Sequence, residues 1–201
     1  MVHFNGTEAQ PANQPELQQP ASRSAAIRLL ATLDRMNTMI RDATPEDASA
    51  MSTLVQSSFK TYVAQDWEPI AQESLLTETT TEKLAARISE SSIVLVHEEN
   101  EELLGVILLP RPNLVQLCFV APGHLRRGIA SALWHTARTR IEEQYPEIKT
   151  VELNSTPYAI TAYQALGFYP ISKPFRRHGS VATRMACWLP GKALAAAQNA
   201  A

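Results

Sequence analysis

The chain has 201 residues, of which 45% are apolar and 19% charged, and a formal net charge of −2. That length fits one domain with a sizeable core, and the near-neutral balance supplies no basic field for nucleic acid. No apolar run reaches the length of a membrane span, and neither C-x-x-C nor H-E-x-x-H occurs, so a membrane anchor and a metal site have no support.

Taken in order, residues 1–38 read as an N-terminal extension. Its first part is rich in Gln, Pro, Asn, Ala and Ser and is expected to be disordered. Ala26, Leu29, Leu30 and Leu33 would line one face of a short helix. The start lacks the basic and apolar regions of a secretory signal, and the expected location is the cytoplasm. Residues 39–190 form the expected domain, and 191–201 an Ala-rich flexible tail.

Met39 to Ala43 reads as a first strand. Thr44-Pro45-Glu46-Asp47 then starts a helix: Thr as cap, Pro at the first helical position, acids in the first turn. That helix is expected to reach about Phe59. The stretch from Phe59 to Leu76 reads as a connection, with Phe59, Tyr62 and Trp67 set among Asp66, Glu68 and Glu73. Thr79-Thr80-Thr81-Glu82 fits a capping box before a second helix over Glu82 to Ser89. Ser92–His97 and Glu102–Leu109 read as a hairpin around the polar Glu98–Glu101, with His97 as an exposed turn residue. Leu114 to Val120 is a fourth strand. Cys118 there, and Cys187 further on, read as buried free thiols.

That fourth strand turns through Ala121-Pro122-Gly123 into Arg126-Arg127-Gly128 and then a helix. Ile129, Leu133, Ala137 and Ile141 recur every fourth residue along its buried face. A strand that enters a helix through a basic, glycine-bearing loop suits a phosphate. The first helical turn has unpaired N–H groups, and Gly128 lets the backbone come close. Neither a P-loop nor a G-x-G-x-x-G fingerprint is present. A fifth strand follows at Thr150–Asn154 and a last helix at Pro157–Leu166, ended by Gly167. A sixth strand opens at Phe168–Pro170, and Val181–Leu189 is a closing strand.

The loop Leu125-Arg126-Arg127-Gly128-Ile129-Ala130 resembles motif A of the GCN5-related N-acetyltransferases, Q/R-x-x-G-x-G/A. It departs only at Leu125, a position that acts mostly through its backbone amide. Ala159, Tyr163, Gly167 and Phe168 match the A-x-x-x-Y-x-x-x-G-F part of the same family's motif B, in the right order and after motif A. The resemblance covers roughly Ile40 to Leu189. It implies a mixed α/β fold on a largely antiparallel sheet, in the order β-α-α-β-β-β-α-β-α-β-β. It also implies acetyl-CoA as co-substrate and transfer of an acetyl group to a primary amine by direct attack on the thioester.

By the same resemblance, the amides from Leu125 to Ser131, with Arg126, Arg127, Gly128, Ile129 and Ala130 between them, hold the pyrophosphate. The backbone of Cys118, Phe119 and Val120 takes the pantetheine arm, and Asn154, Thr156 and Tyr158 complete the cofactor set. One amide on the fourth strand stabilises the oxyanion. Tyr163 is expected beside the departing sulfur. Glu152 is the nearest acid for a base, although strand alternation can turn it from the cleft. The Phe59–Leu76 connection is expected to wall the acceptor pocket. Its acids favour a cationic acceptor, whereas the basic Lys173–His178 favours an acidic one, and the two hints oppose each other. The partners are acetyl-CoA and an unidentified amine, with a homodimer left open. The competing class is a non-catalytic acetyl-CoA-binding protein that controls a partner.

Overall fold

The computed structural model describes residues 38–189. The expectations for residues 1–37 and 190–201 lie outside the described residues. Four strands, β1 (Thr38–Asp42), β2 (Ile93–Glu99), β3 (Glu102–Leu109) and β4 (Leu117–Val120), form an antiparallel sheet in that order. A second set holds β5 (Thr150–Ser155), β6 (Tyr169–Pro170), β7 (Phe175–Arg177) and β8 (Ser180–Trp188). In it β8 pairs antiparallel with each of the other three.

Between β1 and β2 lie three helices, α1 (Ala48–Tyr62), α2 (Pro69–Glu78) and α3 (Thr81–Glu90). Helix α4 (Ile129–Gln144) joins β4 to β5, and the short α5 (Ile160–Ala165) joins β5 to β6. The mixed α/β architecture on antiparallel strands is the expected one. The order contains one helix and one strand more, α2 and β7.

Helix α2 escapes periodicity because it has almost no core face: only Ala71 is buried. Its one local signal is Pro69 in the first turn after the extended Glu68. Strands β2 and β3, by contrast, are nearly continuous apolar runs because both their faces are covered. Leu95, Ile107 and Leu109 pack with Leu133, Ala137 and Ile141 of α4. Val94, Val96, Val106 and Leu108 pack with Met51 and Val55 of α1 and Leu84 of α3.

Two turns are tighter than the sequence implied. The β2–β3 hairpin closes on Asn100 and Glu101, both at positive φ (52° and 65°), so Glu98 and Glu99 belong to the strand. His97, expected as an exposed turn residue, is therefore interior: 6% exposed, paired with Ile40 and Gly105. Burial holds the His97 imidazole below its ordinary pKa. The entry to α1 is a 3-10 turn, Pro45–Asp47, where Thr44 N–H donates to Asp47 Oδ2 at 2.7 Å. Arg41 then clamps Asp47 at 2.7 and 2.9 Å and Glu98 at 2.6 and 2.9 Å. That fork ties the start of α1 to β2.

The sheet splits between β4 and β5. The segment before β4 meets β5 at an isolated parallel bridge, Leu114 to Glu152, where Val115 N–H donates to the Glu152 carbonyl at 2.9 Å. Beyond it β4 pairs only with β3, so the other edge of Leu117–Val120 takes no strand partner among the described residues. The candidate site lies in this gap.

Candidate active site

The loop after β4 is held by its own backbone. His124 N–H donates to the Ala121 carbonyl at 3.1 Å, and Ala121 N–H to the Leu104 carbonyl at 2.9 Å. Arg126 and Gly128 adopt positive φ (62° and 83°), and α4 opens with Ala132 N–H donating to the Gly128 carbonyl at 2.9 Å. The amides of the turn before Ala132 have no intrahelical acceptor and present a partial positive charge to the loop. A Cβ placed at Gly128 would meet no atom within 4 Å. The glycine is therefore required by its backbone conformation and by open approach to the loop, not by packing. These features fit a phosphate-bearing group.

The two arginines differ from each other. Arg127 is engaged, donating to both Glu99 oxygens at 2.9 Å and contacting His124 Nδ1 at 2.7 Å. Its side chain fastens the loop to β2. Arg126 has no ion pair among the described residues. Ile129 packs into the core at 4% exposure, so only its backbone faces the loop, while Ser131 is exposed.

Behind the loop, in the gap between β4 and β5, lies a cavity of about 230 Å³. Cys118, Phe119 and Val120 line one wall, and Leu125 and Ala130 close the loop end. Asn154, Thr156, Tyr158 and Tyr163 line the opposite wall. Nine of the expected site residues thus meet in one place. Tyr62 of α1 stacks on Tyr158 with ring centres 5.7 Å apart and planes 11° apart, bridging the two arms of the gap. The Tyr62 hydroxyl also accepts from Gly123 N–H at 3.4 Å.

Tyr163 is positioned by an aromatic relay. Trp134 of α4 donates from Nε1 to the Leu166 carbonyl at 3.0 Å and lies 4.8 Å from the Phe168 ring. Phe168 meets Tyr163 edge-on at 5.8 Å. Burial, together with the neighbouring Cys118, raises the Tyr163 pKa well above the ordinary phenol value. At neutral pH it is a proton donor. Cys118 is free as expected, a partly buried residue on the cavity wall. Burial pushes its pKa up to about 12, so it stays a thiol at neutral pH.

Glu152 is not brought to Tyr163. It lies beside the bridge that joins the two sheets, and its carboxylate lines neither this cavity nor the next. Val151 is fully buried in the core. Among the described residues no carboxylate or histidine lines the cavity around Tyr163.

A second cavity, of about 560 Å³, shares Trp67, Leu75, Gln116, Leu117 and Asn154 with the first. Trp67 is seated edge-on against Phe59 at 5.1 Å, and Gln72 Nε2 donates to the Trp67 carbonyl at 2.8 Å. Leu75 lies in the connection expected to wall the acceptor pocket, whereas sequence reasoning missed Gln116 as a lining residue. Nothing local marks Gln116, because the gap that exposes it is a tertiary feature.

A strand-loop-helix turn beside a split sheet, with the half-buried Tyr163 lining the gap, sets the chain beside known proteins. The model of the Acetyltransferase (GNAT) domain matches residues 47–189. The chain belongs to the GNAT acetyltransferases, enzymes that use acetyl-CoA as co-substrate. It is 28% identical over 93 residues to the peptidyl-lysine N-acetyltransferase YiaC of Escherichia coli. That match takes in 46% of this chain and 61% of YiaC, less than two thirds of the relative's length. A GCN5-related N-acetyltransferase structure from Rhodopseudomonas palustris superposes with a TM-score of 0.67 at 18% identity, covering 76% of this chain and 96% of that one. PaiA N-acetyltransferase from Thermoplasma acidophilum, solved with coenzyme A, gives 0.64 at 17% identity over 76% and 99%. At these identities the structural matches speak for the fold.

Proposed function

We propose that this protein transfers the acetyl group of acetyl-CoA to a primary amine by direct attack within the β4–β5 gap. The observation that carries the reading is the meeting of the loop at Gly128, the open edge of β4 and Tyr163 around one cavity. The loop amides and the α4 N-terminus receive the pyrophosphate. The unpaired edge of Cys118–Val120 offers backbone groups to the pantetheine amides, as an added strand would. One of those N–H groups also stabilises negative charge on the thioester oxygen.

The amine lone pair attacks the carbonyl carbon. The C–N bond forms, the C–S bond breaks, and the amine proton leaves to water. Tyr163 donates a hydrogen bond to the departing sulfur and supplies the proton that makes it a thiol; the phenol is restored from solvent. A route through an acetylated Cys118 is disfavoured because its thiol stays protonated at neutral pH. With no carboxylate or histidine beside Tyr163 among the described residues, the amine reaches its neutral form through solvent.

The same lack of a base is what a non-catalytic acetyl-CoA-binding regulator would have. Acceptor-dependent release of free thiol separates the two. Release with at least one amine supports the enzyme, whereas tight acetyl-CoA binding with no release across amines and peptides supports the regulator. Absence of acetyl-CoA binding defeats both.

A further inference from the structure

We infer that the acceptor carries a carboxylate near its amine, held by Arg111 and Arg177 at the rim of the second cavity. This rests on the acetyltransferase reading and specifies its substrate class. An acceptor that reaches Tyr163 from the side away from the loop passes through the 560 Å³ cavity. Its charged lining is unequal. Glu78 is the one carboxylate among the described lining residues, and it is already committed to Arg87 at 2.8 Å and Lys83 at 3.5 Å. Arg111 and Arg177 have no carboxylate partner among the described residues, and His178 stands beside them.

The acids that favoured a cationic acceptor in the sequence are elsewhere. Asp66, Glu68 and Glu73 line neither cavity, and Glu68 is paired with Arg176 at 2.9 Å. Of the basic segment Lys173–His178, Arg177 and His178 do reach the cavity. The opposition between the two hints is thereby resolved in favour of an anionic group.

A second observation points the same way. The Trp67 indole N–H is buried with no hydrogen-bond acceptor, and Trp67 belongs to the wall that both cavities share. A buried donor without a partner is costly, and an acceptor oxygen on the ligand relieves that cost. A carboxylate supplies such oxygens and matches the guanidinium fork.

The backbone that carries the two exposed arginines is held in place. Arg111 sits in the tight β3–β4 turn, where Leu114 N–H donates to its carbonyl at 3.0 Å. Arg177 precedes the β7–β8 turn at His178 and Gly179, with φ of 46° and 80°. The tip of that turn is tied to α2 by Glu68 N–H donating to the Gly179 carbonyl at 2.9 Å. These anchor points exist before any ligand arrives, so only the side chains have to be ordered on binding.

The test uses matched acceptors: amino acids against their carboxamides, and lysine peptides flanked by Asp against the same peptides flanked by Asn. Thiol release is measured with acetyl-CoA, and calorimetric binding with the protein saturated in CoA. The carboxylated member of at least one pair is expected to bind and react at least about tenfold better. The amino acid pairs and the peptide pairs show which source supplies the carboxylate. The double substitution Arg111→Gln with Arg177→Gln should erase that preference, leaving acetyl-CoA affinity unchanged. Trp67→Phe, which keeps an aromatic ring and removes the N–H, should weaken the preference. A preference for the neutral members, no carboxylate bound by the wild type, or a preference that survives the double substitution overturns the inference. Failure to bind acetyl-CoA would instead defeat the acetyltransferase reading, so the two failures are distinguishable.

Discussion

The two ends of the β4–β5 gap are built on different terms. At the loop end, the groups proposed to hold the cofactor belong to the backbone: Arg126 and Gly128 at positive φ, the first turn of α4 and the free edge of β4, all between residues 117 and 132. At the other end, the groups proposed to meet the acceptor are side chains from separate places, Trp67, Arg111 and Arg177. On this reading a cofactor common to a family is held by groups every residue owns, in one short segment. An acceptor particular to one protein is read by side chains that only the fold assembles.

The strongest way to break this contrast is Gly128→Val. A β-branched residue is badly suited to φ of 83°, although its side chain would have open space around it. Acetyl-CoA affinity is expected to fall about a hundredfold, with a small shift in melting temperature, by calorimetry and thermal unfolding. Undiminished affinity would show that the loop backbone is not the anion site.

Tyr163→Phe probes the wall between the two ends. Turnover should drop by about tenfold to a hundredfold while acetyl-CoA affinity holds, since the ring contact with Phe168 is kept. An equal loss in both quantities would make Tyr163 a packing residue instead.

Gly105→Ala tests whether the loop end depends on the core beneath it. A Cβ there would lie 2.5 Å from Ile129 Cγ2 and 2.9 Å from Leu133 Cδ1. Overpacking should cost about 1–3 kcal/mol in denaturant unfolding and weaken acetyl-CoA binding more than acceptor binding. Loss confined to the acceptor side would contradict the proposed division.

The smallest effect concerns pH and His97. Because burial lowers its folded-state pKa, the unfolded chain takes up this proton first. Stability from this group is complete above its ordinary value of 6.5 and declines as pH falls below that, until the folded state is protonated as well. His97→Gln should flatten that decline, in melting curves between neutral and mildly acidic pH. An unchanged slope would mean that the imidazole is protonated in the folded protein too.

What the sequence carried, it carried through local rules. The α4 stripe of Ile129, Leu133, Ala137 and Ile141 became the buried face that fixes the loop. The spacing of Ala159, Tyr163, Gly167 and Phe168 became the aromatic relay behind Tyr163. Helix α2 was missed because it turns toward the cavities and has no apolar stripe to read. His97 was misread because the turn closed two residues later than the run of acids implied. Glu152 was the nearest acid in sequence, yet it stands at the sheet junction and does not line the cavity that holds Tyr163.

By itself, then, the amino-acid order determined the strand-loop-helix around Gly128, the short helix ended by Gly167 and the family to which both belong. Periodicity, caps and glycine conformations act over a few residues and are written there. The tertiary structure decided where β4 parts from β5, that Arg127 is occupied by Glu99, and that Arg111, Arg177 and Trp67 line one cavity beside the one that holds Tyr163. Those relations join residues far apart in the chain, and no local rule encodes which of many arginines is left without a partner.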